Sequence, residues 1–74
     1  MKKTEMTQKI ADACKKARLD NNMRLNDVCR DLHEIGLDFG LTSVQRFEAG
    51  TQAIPFEVAM YYAKLGAELD CFLN

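Results

Sequence analysis

Residues 25–50, LNDVCRDLHEIGLDFGLTSVQRFEAG, decide the fold, because they read as two short amphipathic helices joined by a glycine-bounded turn. The first half places Leu25, Val28, Cys29, Leu32 and Ile35 at offsets 0, 3, 4, 7 and 10, one apolar stripe along a helix. The second half spaces Leu41, Val44 and Phe47 three apart. That spacing turns Thr42, Ser43, Gln45 and Arg46 away from whatever the stripe packs on. Side chains of these types hydrogen-bond to base edges and phosphates, and a short helix carrying them fits the major groove of duplex DNA.

Working outward toward the N-terminus, Met6, Ile10, Ala13, Cys14 and Ala17 predict an inward stripe on a first helix. Thr4 or Thr7 is its expected cap, residues 1–4 form a flexible basic arm, and the helix ends near Asn21. Lys2 and Lys3 read equally as an arm along a DNA backbone or as an ordinary solvated terminus. Arg24 stands at the entry to the second helix, which the pattern runs from Leu25 to Ile35, with Gly36 as its stop. Leu37 and Phe39 are expected to tuck inward from the turn. The third helix starts with either Gly40 or Thr42 as its cap, since Thr42-Ser43-Val44-Gln45 has the form of a capping box, and ends at Gly50.

Toward the C-terminus, Pro55 opens a fourth helix reaching Lys64. Phe56, Ala59, Met60 and Ala63 make one apolar face, and Val58, Tyr61, Tyr62 and Leu65 make another. So apolar a helix is either central to the core or shared with a partner. Tyr61, Tyr62, Phe72 and Leu73 are candidates for a dimer contact, with core packing as the competing account. Leu69, Phe72 and Leu73 suggest a short final turn. No period-two run occurs, so the expected fold is all-α: one domain over residues 1–74 with four to five helices.

Composition narrows the function classes. Seventy-four residues suffice for one small core and not for a deep substrate pocket. With 47% hydrophobic and 28% charged residues the chain is globular, and no apolar run approaches the roughly 20 residues that span a bilayer. The N-terminus lacks a signal-peptide core, so the expected compartment is the cytoplasm. Cys14, Cys29 and Cys71 are odd in number and lack metal-ligand spacing, and His33 is the only histidine. Neither a metal, a cofactor nor a small-molecule substrate is expected, and no catalytic constellation can be assembled.

The formal net charge of -1 is unevenly distributed. Residues 1–30 hold eight Lys or Arg against four acids, and residues 31–74 hold two against seven. Lys15, Lys16, Arg24 and Arg30 are therefore candidate phosphate contacts, and the acidic second half is a candidate surface for another protein.

These residues together resemble the Cro/XRE family of phage-repressor-like helix-turn-helix domains, over roughly residues 14–73. The matching landmarks are CKKAR at 14–18, Val28-Cys29 with Leu32, SVQRFEAG at 43–50, and AKLGAELDCFL at 63–73. The resemblance implies a lambda-repressor-like fold whose residues 25–50 form the helix-turn-helix unit. It implies base-reading positions at Leu41, Thr42, Ser43, Gln45 and Arg46, and a structural ion pair between Arg18 and Glu48. Two departures stand out. The spacing from Val28 to Glu48 is about five residues longer than the family's, near residues 33–39, and Arg24 stands where the family often has a Ser or Thr cap.

The resemblance implies a sequence-specific transcriptional regulator, a repressor of phage or mobile-element type binding a pseudo-palindromic operator in double-stranded DNA as a homodimer. The alternative is a protein-interaction module of the same fold, antitoxin-like or anti-repressor, motivated by Asp31, Glu34 and Asp38 in the extended segment.

Overall fold

Four helices and no strand account for the regular structure of the described residues, 3–69, in a computed structural model: α1 (Lys3–Asp20), α2 (Leu25–Glu34), α3 (Leu41–Ala49) and α4 (Phe56–Lys64). The third helix packs on both α1 and α2, while α4 packs on α1. Cys14, Val28, Leu32, Val44, Phe47, Val58, Ala59, Tyr62 and Leu69 form one continuous core. The radius of gyration, 11.3 Å, equals the roughly 11 Å of a folded domain of this length.

Helix α1 begins at Lys3, so residues 3 and 4 are helical rather than part of a flexible arm, and neither Thr4 nor Thr7 caps it from outside. Its buried side is Ala11, Cys14, Ala17 and Arg18, with Ile10 and Ala13 packed at the edge. Ala11 was not in the expected stripe. The helix ends where Asn22 turns left-handed at φ 56° and the Met23 N–H donates to the Arg18 carbonyl at 3.1 Å. Asn21 Nδ2 donates to the carbonyls of Ala17 (2.7 Å) and Leu65 (2.8 Å), which ties this turn to the end of α4.

Residues 35–40, between α2 and α3, form a loop rather than a further helical turn. α2 stops at Glu34, one residue short of the expected end, with Ile35 as its cap. Gly36 is left-handed at φ 87°, a conformation glycine adopts without strain, and the Leu37 N–H closes back on the Leu32 carbonyl at 2.8 Å. Leu37 and Phe39 tuck inward as expected, Phe39 meeting Phe47 edge-to-face at 5.3 Å. Gly40 is the α3 cap, so the alternative start at Thr42 does not occur, and Gly50 ends the helix at φ 80°.

Pro55 is the cap of α4 rather than its first helical residue. The buried side of α4 cuts across the two apolar faces read from the sequence: Val58, Ala59 and Tyr62 are buried, while Phe56, Met60 and Ala63 are exposed. Tyr62, a candidate dimer contact from sequence, is fully buried within the protomer and belongs to the core. Tyr61 is half-buried and donates to Asp31 Oδ2 at 2.7 Å. Lys2, Cys71, Phe72 and Leu73 lie outside the described residues.

Candidate nucleic-acid interface

The three-residue spacing of α3 sorts its side chains into two sets. Val44, Phe47 and Glu48 are buried. Leu41, Thr42, Gln45, Arg46 and Ala49 are exposed, and Ser43 is half-buried between the two. The only acid on the helix is therefore covered, so its solvent side carries one cation, a run of hydrogen-bonding groups and no exposed carboxylate. Because Gly40 has no side chain to cap with, the first-turn N–H groups of α3 have no side-chain acceptor. They join the hydroxyls of Thr42 and Ser43 as donors at the positive end of the helix dipole.

What fixes the roll of this helix is a buried charge network. Arg18 Nε donates to Glu48 Oε1 at 2.9 Å and to Oε2 at 3.0 Å, and its Nη1 donates to the Met23 carbonyl at 2.8 Å. The Tyr62 hydroxyl donates to Glu48 Oε2 at 2.7 Å. Both charged side chains are nearly covered, Arg18 at 9% and Glu48 at 6% exposure. One carboxylate thus ties α1, α3, α4 and the α1–α2 link together, and no buried side-chain polar atom among the described residues lacks a partner. Burial and then the bond to Glu48 hold the Tyr62 phenol far above its ordinary range. Burial first and Glu48 second push the Cys14 thiol from 9.0 to about 12.

The candidate cations separate by their partners. Lys16 is paired with Asp20 at 2.8 Å, and Arg30 reaches Asp27 at 3.5 Å and Asp31 at 4.0 Å. Lys15, Arg24 and Arg46 form no ion pair with another described residue. Lys15, Leu25, Gln45 and Ala49 line one shallow depression together with the Arg18–Glu48 pair, which places a cation of α1 and the start of α2 beside the open side of α3. Arg24 caps α2 with extended backbone, and its N–H donates to Asp27 Oδ2 at 2.9 Å while its guanidinium stays exposed. Lys3 starts α1.

Sequence reasoning missed Tyr62 as the second partner of Glu48. The one available signal is general: a buried tyrosine needs a partner for its hydroxyl. Of the acids in or near the segment between α2 and α3, Asp31 accepts from Tyr61, Asp38 lies 3.2 Å from His33 with its carboxylate exposed, and Glu34 is exposed. Among the described residues no cluster of His, Cys, Asp or Glu is arranged to hold a metal ion, and no helix is long and apolar enough to cross a membrane. Comparison with family models, with curated proteins and with solved structures finds no match to this chain.

Proposed function

We propose that the protein is a sequence-specific DNA-binding regulator of the helix-turn-helix class, of the repressor type that its resemblance to the Cro/XRE family implies. In this reading α2 and α3 are the helix-turn-helix pair and α3 enters the major groove. The observation that carries it is the composition of the open side of α3: Thr42, Gln45 and Arg46 exposed together, with the sole acid of the helix buried beneath them.

At nine residues α3 is roughly 13 Å long, enough to present two turns to a groove about 12 Å wide. Gln45 pairs with adenine N6/N7 and Arg46 with guanine O6/N7 or a phosphate. Thr42 and Ser43 hold phosphate through hydroxyl and backbone N–H, and Lys15 and Arg24 neutralise phosphates on either side. Three cations per protomer give weak binding at physiological salt, so two protomers act on a two-fold operator with half-sites about one helical turn apart.

The test is binding-site selection from random duplexes, followed by affinity measurements on the selected and an unrelated duplex. Arg46→Ala should weaken the selected complex by about 1–3 kcal/mol and the unrelated one far less. Equal losses on both duplexes remove the base-reading role. Failure to enrich any sequence removes the proposal.

A further inference from the structure

The exposed face of α4 has a symmetry of charge that selects its occupant. Phe56 and Met60, one turn apart, stand out from the helix at 63% and 46% exposure. A shallow apolar groove lies on each side of this ridge. One is bounded by Ile10, Ile54 and Leu69, the other by Leu37 and Ile35, itself 59% exposed. The ridge and its grooves leave an apolar side of α4 open on a very small protein, the kind of feature that marks an interaction site.

The second groove ends in charges of opposite sign, Glu57 at one end and Lys64 at the other, both exposed. Neither forms an ion pair with another described residue. They are seven residues apart, about two turns and roughly 10 Å along one side of the helix.

We infer that this face binds a second copy of the chain, with the two α4 helices antiparallel across a two-fold axis passing between Met60 and Tyr61. Midway between Glu57 and Lys64 lies that same point. Only an antiparallel copy centred there sets Glu57 opposite the partner's Lys64 at both ends at once, with the Met60 side chains packed in the middle. A two-fold contact must be self-complementary, and opposite charges placed symmetrically about an apolar centre meet that condition. A standard interface covers about 800 Å² per partner, one sixth of the 4989 Å² protomer surface. The inference supplies the dimer that the proposed regulator needs, yet it stands on the α4 face alone and is tested without DNA.

Sedimentation equilibrium of the full chain measures it. The wild type should associate reversibly. Glu57→Lys or Lys64→Glu alone sets like charges against each other at both ends and should raise the dissociation constant at least roughly ten-fold. The double reversal, Glu57→Lys with Lys64→Glu, should return it to within about three-fold of wild type. That restoration does not come from helix stability, because the double variant places both charges unfavourably for the α4 dipole. Circular dichroism checks that all four proteins are equally folded, as expected for exposed positions. A wild type that stays monomeric at several hundred micromolar, single reversals without effect, or a double reversal no better than the singles overturns the inference. DNA binding measured separately on the same four proteins keeps this result distinct from that of the regulator reading.

Discussion

Replacing Glu48 by Gln probes the network that fixes α3. The substitution keeps the side chain's shape and removes its charge, leaving the Arg18 guanidinium, 9% exposed, without a counter-ion. Breaking a buried pair from one side costs about 3–5 kcal/mol, because the remaining charge stays out of water. A 74-residue domain has roughly 4–11 kcal/mol of stability in all. Glu48→Gln should therefore remove about a quarter of it or more and lower the melting temperature by at least about 12 °C.

The triple variant Arg18→Met, Glu48→Leu, Tyr62→Phe removes every polar side chain of the network, and only the part-buried Met23 carbonyl loses a donor. It should lie within about 2 kcal/mol of wild type, since apolar residues of similar volume replace buried ion networks at little cost. Urea denaturation followed by circular dichroism gives both numbers, with an unchanged denaturant slope as the check that the same surface is exposed. A single variant costing under about 1 kcal/mol, or a triple variant as damaged as the single, refutes the reasoning. If the network's role is to set the roll of α3, the triple variant stays folded and loses affinity for its selected duplex.

Further predictions concern the thiols, the phenols and the cap of α2. Cys14, buried and pushed up to about 12, should resist thiol reagents at pH 8 and react only at the rate of global unfolding; labelling as fast as a free thiol contradicts its burial. Burial raises Cys14, Tyr61 and Tyr62 alike in the folded state, so above the pKa of the unfolded groups, about 9–10, the folded state holds more protons than the unfolded one. Their contribution is thus full at neutral pH and is lost as pH rises from about 9 through the folded values. The urea midpoint should fall between pH 8 and 10.5, and a flat or rising midpoint contradicts this. Arg24→Ser supplies the side-chain acceptor that α2 lacks at its cap and should stabilise the fold by about 0.5–1 kcal/mol. The same change should weaken DNA binding several-fold, as salt titrations and melting curves on one preparation will show.

The fold was legible where apolar spacing has a single solution. Val28 and Leu32 on α2, and Val44 and Phe47 on α3, could be covered only if the helices ran where they do, and the open side of α3 followed from the same arithmetic. The start of α3 was not legible, because Thr42-Ser43-Val44-Gln45 imitates a capping box. Phe39, packed edge-on against Phe47, anchors the chain one residue ahead of Gly40 and settles the start. On α4 both faces are apolar, and spacing alone does not choose between them. The choice falls to Tyr62, whose hydroxyl is drawn inward by a carboxylate 14 residues away in sequence. Nor could charge counting separate Lys15 from Lys16 or Arg24 from Arg30. Those distinctions depend on which cation stands within reach of Asp20, Asp27 or Asp31.

The central proposal is that an acid-free α3 surface, flanked by Lys15, Arg24 and Arg46, meets the phosphates and bases of duplex DNA. Its most direct test is the affinity of the purified chain for a selected duplex across a range of salt concentrations. Four phosphate-neutralising cations in a dimer, Lys15 and Arg24 of each protomer, each contributing about 0.9 to the slope, predict a straight plot of log K against log salt with a slope of roughly −4. A slope near zero, or no measurable binding at 50 mM salt, contradicts it.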